Sequence, residues 1–290
     1  YGAASWTGYD ALKSRLTDAN LELLGAMRVT DQLDIGLGLD AQYASATLTQ
    51  ALPNLSPLLP DGFQSLSGDG WNYGWDAGLQ YHPTDSLSLA ASYRSGISHK
   101  LSGDVAVTGL LGPLAGSNLA TSGEASFNTP WIATIGARWR ASDRLWLNAQ
   151  VQRLGWSDFQ AITVALPGTT QVIPQDYRDT TSVAVGLDYA VAPTWTLSGG
   201  VQFDPTPTPD ASRSTRVPDG DRWLVGLGAS HKMANGGVIE VNADYIAFAD
   251  SRVHRDDTIF AGTPVATPVA LRGDVGGEAF VLGAGMRWAF

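Results

Sequence analysis

The chain is predicted to be all-β, a transmembrane antiparallel β-barrel, and three observations carry that prediction. Apolar residues alternate with small or polar ones at a period of two through about eleven successive segments. Helical periodicity that could supply a covering layer is almost absent. The connections between segments alternate between short and long. A strand sends successive side chains to opposite faces, so every segment owns one apolar and one small or polar face. A soluble sheet would need another layer over so much apolar surface. A closed barrel places that surface in lipid and keeps the polar face inside.

The elements follow from this alternation. Leu33, Ile35, Leu37, Leu39, Ala41 and Tyr43 interleave with Asp34, Gly36, Gly38, Asp40, Gln42 and Ala44. Trp71, Tyr73, Trp75, Ala77, Leu79 and Tyr81 stand against Asn72, Gly74, Asp76, Gly78, Gln80 and His82, and the same holds for 182–191 and 280–290. The pattern predicts strands over 19–29, 33–49, 71–82, 86–104, 126–140, 144–158, 178–191, 194–204, 221–233, 237–250 and 277–290. A bilayer crossing takes about 9–11 tilted residues. Each segment is long enough, and 33–49 and 86–104 should project beyond the membrane.

Short turns are expected at 30–32, 83–85, 141–143, 192–193 and 234–236, and long connections at 50–70, 105–125, 159–177, 205–220 and 251–276. Outer-membrane barrels have short periplasmic turns and long extracellular loops, an order that a sandwich with variable loops does not require. Trp71, Trp139, Trp195, Trp223 and Trp288 sit at segment ends, as interfacial girdles demand. The last strand follows a long outer loop, so it should run inward and end with Phe290 at the periplasmic face. A terminal aromatic of this kind is expected to engage the outer-membrane assembly machinery. Counting back, the first strand also runs inward, and Tyr1 to Asp18 fall outside. Single-chain bacterial barrels have an even strand number. Eleven strands therefore predict that 1–290 is one barrel domain with at least one N-terminal strand missing.

Composition narrows the function. The 290 residues carry a net charge of −10, which excludes nucleic acid as an expected partner. Charged residues are only 16%, well below the usual quarter of soluble domains, yet 33 glycines and many Ser, Thr, Asn and Gln hold the mean hydropathy near zero. No run approaches the ~18 apolar residues of a membrane helix. There is no cysteine, hence no disulfide or thiolate chemistry. The opening Tyr1 to Ala4 has neither a basic nor an apolar leader region.

Three blocks stand out in order along the chain. The first is Tyr9 to Ala46, with the run Gly36 to Ala44. The second is Trp71 to Gly78 followed by Ser92 to Ser95. The third, and most specific, is Phe203-Asp204, then Pro207, Pro209 and Arg213, then Pro218 to Trp223, and Ala289-Phe290 agrees at the terminus. Together they resemble the FadL-type family of outer-membrane long-chain fatty-acid transporters. The resemblance spans nearly the whole chain in order. It implies a fourteen-stranded barrel plugged by an N-terminal hatch, so this sequence would lack the hatch and the first three strands. It also implies a first, weak capture site between two outer loops. The family's basic carboxylate contacts fall near Gln50 and Ile173 here; neither is basic, so head-group recognition is expected to have changed or moved.

Candidate residues follow from chemistry and position. Loop 50–70 holds Leu52, Leu55, Leu58, Leu59 and Phe63, and loop 105–125 holds Leu110, Leu111 and Leu114. Such apolar density in outer loops marks either a binding groove or two loops packed as a cap, and each buried methylene of an acyl chain is worth about 0.8 kcal/mol. Arg94, Lys100, Arg138, Asp204 and Arg222 fall on the inward side of their strands. A cation there could meet a carboxylate, or simply pair with a wall acid, as Arg222 could with Asp219 or Asp221. The Pro207 to Asp221 loop reads as structure, its Asp spacing matching no calcium loop. No metal or cofactor site is expected. The nucleophile-elbow, P-loop and zincin motifs are absent. His99, near Ser98 and Ser102, is the best of the weak enzymatic candidates. The expectation is a monomeric, passive conduit in the Gram-negative outer membrane, surrounded by membrane lipid and taking a hydrophobic small molecule. Long-chain fatty acid is the default; aromatic hydrocarbons are the alternative within the family, and a lipid-hydrolysing barrel the alternative outside it.

Overall fold

A computed structural model describes residues 6–217, 219–259 and 265–288. Fifteen strands form one antiparallel sheet. In chain order they are β1 (Lys13–Thr30), β2 (Leu33–Leu52), β3 (Gly62–Thr84), β4 (Leu87–Arg94), β5 (Ser98–Thr108), β6 (Leu119–Asn128), β7 (Ile132–Arg140), β8 (Leu145–Leu154), β9 (Ala161–Leu166), β10 (Thr169–Pro174), β11 (Thr180–Ala192), β12 (Trp195–Asp204), β13 (Arg222–Lys232), β14 (Val238–Ile259) and β15 (Thr267–Arg287). The expected wall is recovered, with β4–β5 standing where the 86–104 strand was read and β6–β7 where the 126–140 strand was read. Phe290 lies outside the described residues.

Alternation decides which face is which. Leu37, Leu39 and Tyr73 are 66%, 65% and 71% exposed, whereas their strand neighbours Asp40 and Asn72 are 4% exposed. The apolar side chains therefore form the outer surface and the polar ones the interior, inverted relative to a soluble fold. All five girdle tryptophans, Trp71, Trp139, Trp195, Trp223 and Trp288, are exposed. Inside, Asp188 accepts from Asn148 (3.1 Å) and Ser198 (2.7 Å) and pairs with Arg138 at 2.9 Å. Buried carboxylates need such partners.

The outer end departs from the expected boundaries. Strands run further than the alternation shows: β2 continues to Leu52, β3 begins at Gly62, and β14–β15 pair out to Ile259 and Thr267. Two expected long loops shrink to 53–61 and 109–118. Beyond the membrane both faces of a hairpin meet water, so the period-two signal fades while backbone pairing persists. The 86–104 segment breaks at 95–97, its neighbour at 129–131, and the next at 155–160. Above these breaks β5, β6, β9 and β10 form a flap. β9 and β10 form a hairpin where an irregular loop was expected.

Glycine permits the flap. Gly68, Gly103 and Gly123 are cross-strand partners on β3, β5 and β6. A Cβ at Gly103 would lie 2.0 Å from the Ser67 carbonyl oxygen. Only glycine lets these backbones approach so closely.

Candidate functional site

The inward face of β2 changes chemistry along its length. Asp34, Asp40 and Gln42 give way to Ala44, Ala46, Leu48 and Leu52 on the same side of the strand. Register extends the change across the sheet. Leu48 faces Leu66, which faces Val105; Leu101 faces Ala125, which faces Val164; Ile162 faces Ile173. These side chains wall a cavity of about 1070 Å³ at the outer end, closed on its other side by the loop that carries Ala211 to Val217 and by Arg255 of β14. Phe127, Phe159 and Tyr177 add a ring cluster, with Phe159 and Tyr177 edge-to-face at 4.9 Å. Burial pushes the Tyr177 hydroxyl up, holding it neutral.

Arg216 enters this mostly apolar space without a carboxylate partner among the described residues, as does the exposed Arg15 of β1. The Arg216 Nη2 donates to Gln50 Oε1 at 2.6 Å, and Gln50 Nε2 donates on to Gln64 Oε1 at 2.8 Å. Nη1 reaches only the Thr49 carbonyl and Ser14 hydroxyl, each at 3.5 Å. Burial lowers the Arg216 pKa, with Asp10 opposing and Arg255 reinforcing the shift. A guanidinium stays charged through such a shift, so it keeps unspent capacity for an anion. Arg255 differs, being paired with Asp10 (3.0 Å) and Asp257 (2.8 Å). Asp10 also accepts from Ser214 Oγ and from the Thr215 amide and hydroxyl, at 2.7–2.8 Å. Burial opposes its ionisation, but those donors and Arg255 outweigh burial and lower its pKa. Asp10 thereby pins the loop that delivers Arg216.

The structure distributes the candidate residues unevenly. Leu52, Leu110 and Leu114 line the cavity. Leu55, Leu59, Phe63 and Leu111 are about two-fifths exposed and Leu58 is 93% exposed, all outside the lining. Arg138 pairs with Asp188, Arg94 reaches Glu22 at 3.4 Å, and Arg222 pairs with Asp204 and Asp219. Asp204 also accepts from Ser182. Lys100 is exposed and forms no ion pair among the described residues. The Pro207 to Asp221 loop is built as structure, Asp219 and Asp221 accepting from Thr206 and Arg213 filling the loop's interior. His99 is buried and stacked on Phe127 at 4.7 Å; its polar contact is Thr129, and no hydrogen bond joins it to Ser98 or Ser102.

A family model described as outer membrane protein transport protein (OMPP1/FadL/TodX) matches residues 1–290. The chain belongs to the FadL family. It is similar to the long-chain fatty acid transport protein of Escherichia coli O6:H1, 26% identical over 96% of this chain and 68% of that protein. It is also similar to outer membrane protein P1 of Haemophilus influenzae, 25% identical over 83% of this chain and 58% of that protein. The chain thus spans only about three-fifths of several such relatives. Among solved structures, a Pseudomonas aeruginosa FadL homologue superposes with a TM-score of 0.83 at 26% identity, covering 97% of this chain and 70% of that one. The toluene transporter of Ralstonia pickettii shares the fold, with a TM-score of 0.68 at 20% identity over 99% and 74% of the two chains. As a FadL-family barrel, the protein resides in the Gram-negative outer membrane.

Sequence reasoning missed Arg216. It lies in a loop that reads as structural, and no local motif marks it. The positions where basic residues were sought, Gln50 and Ile173, both line the cavity that Arg216 enters.

Proposed function

We propose that this chain forms the ligand-binding wall of a passive outer-membrane channel for long-chain fatty acids. The observation that carries this reading is Arg216, a half-buried guanidinium without a carboxylate partner among the described residues, at one side of a mostly apolar cavity. That is the chemistry of a carboxylate bearing a long alkyl chain: the guanidinium takes the head, while Leu48, Leu66, Val105 and Ile173 take methylenes. The exposed Leu58 and Leu111 give the ligand a first contact outside. The inward-facing pairs Arg138–Asp188 and Arg222–Asp204 hold the wall rather than the ligand. The chain acts by binding and release, not by bond chemistry.

A single-ring aromatic hydrocarbon is the second reading, favoured by the Phe127, Phe159 and Tyr177 cluster. Such a ligand would leave Arg216 without an anion and most of the cavity unfilled. Equilibrium binding to the full-length protein separates the two. A long-chain fatty acid should bind in preference to toluene, and Arg216→Gln should weaken the acid. Toluene binding without acyl-chain binding would reverse the assignment.

A further inference from the structure

Below the cavity, the inward face holds a charged cluster that ligand uptake does not use. Glu22 on β1 is the cross-strand partner of Asp40 on β2, and Asp76 on β3 faces Gly38 in the same inward row. One carboxylate oxygen from each lies within 4.8 Å of the other two. Gly38 makes the approach possible: its Cβ, were there one, would sit 2.2 Å from Asp76 Oδ2. Asp40 is 4% exposed. Its Oδ1 accepts from Asn20 at 2.8 Å, but its Oδ2 is buried with no partner among the described residues, and so is Asp76 Oδ2. Arg94, the cross-strand partner of Asp76, contacts Glu22 at 3.4 Å and leaves both orphaned oxygens unserved.

Carboxylates this close repel one another, and a buried acceptor without a donor is costly. Three carboxylates against one guanidinium leave two negative charges. What satisfies them must be compact, doubly positive and bound by oxygen alone. We propose that Glu22, Asp40 and Asp76 form a calcium site inside the barrel. An ion about 2.3–2.6 Å from three evenly spaced oxygens holds them up to about 4.5 Å apart, so side-chain rotation of a few tenths of an ångström lets all three reach it without moving a strand. A hard, all-oxygen donor set disfavours zinc and copper, and water can fill the remaining positions. The ion ties β1, which among the described residues pairs with β2 alone, to β3 as well. No metal spacing announces the site in sequence, because its ligands are brought together by strand register alone.

The test is equilibrium dialysis of the full-length protein in detergent against radioactive calcium, after removal of divalent ions. We expect saturable binding of a single ion per chain. Asp76→Asn and Glu22→Gln should each weaken it by roughly tenfold or more, the loss seen even for supporting residues of metal sites. Asp34→Asn, an inward carboxylate outside the cluster, should leave it unchanged. Heat-modifiable migration on gels checks that each variant is folded. If Asp76→Asn does not fold, Glu22→Gln decides. Absence of saturable binding overturns the proposal and means that a basic side chain meets these acids. Binding unaltered by both substitutions overturns it as well.

Discussion

The Arg216 guanidinium donates to the Gln50 side-chain oxygen at 2.6 Å, across 166 residues of sequence. Gln50 lies near the end of β2, in the inward row that turns from acids to leucines. Arg216 reaches it from a loop pinned by Asp10. The pair therefore sets a fixed positive charge against an apolar wall.

Arg216→Gln should weaken binding of a long-chain fatty acid by about 10–100-fold, from the roughly 1.5–3 kcal/mol of hydrogen bonding to a charged group. A fatty alcohol of the same length should bind almost equally to both proteins. Reading the sequence alone leads to the opposite expectation, that acid and alcohol bind alike, because neither Gln50 nor Ile173 is basic. Calorimetry on both ligands decides. Equal affinity of the unsubstituted protein for acid and alcohol would remove Arg216 from the head-group role.

Asp10 makes the outer mouth acid-sensitive. Its folded pKa is lowered, so its stabilisation is complete above the ordinary aspartate value of about 3.9 and is lost as pH falls through the folded value. Hydrogen exchange in 211–217 should therefore stay protected near neutrality and rise in that acidic window. Asp10→Ala should show the loosened state at neutral pH, since it leaves Arg255 only Asp257 and removes the acceptor for Ser214 and Thr215. Unchanged protection in Asp10→Ala would mean that other contacts hold the loop.

Gly103→Val should detach the flap while sparing the membrane wall. The new side chain would meet Ser67 and Gly68 backbone, which cannot move aside as a side-chain tip can. Limited proteolysis should then cut within 109–118, while the heat-resistant mobility of the folded barrel persists. A variant as resistant as the parent would show that the sheet absorbs the strain.

Two leucines should separate binding from capture. Leu110→Asp puts an unpaired charge on the cavity wall and should cost a few kcal/mol of equilibrium affinity. Leu58→Asp, at a site 93% exposed, should leave that affinity nearly intact and slow uptake from dilute ligand. Equal effects of both substitutions on affinity would place the principal site outside the cavity.

The wall is legible in the sequence alone. Alternation such as Leu37 and Leu39 against Gly38 and Asp40 specifies strand, register and the inverted placement of apolar side chains, because a strand's period is local and lipid rewards only one face. The short turns and the tryptophans at strand ends follow from the same one-dimensional pattern. Where hairpins leave the membrane both faces meet water, the alternation loses its physical cause, and the β9–β10 hairpin and the longer β14–β15 arm became visible only in three dimensions. The site needed tertiary structure for a different reason. Arg94, Arg138 and Arg222 all look available from their inward positions, but each finds an acid on another strand. Arg216 looks like loop, yet Asp10 and Gln50 hold it over the cavity. Whether a charge is paired or free depends on neighbours distant in sequence, and only the folded sheet brings those together.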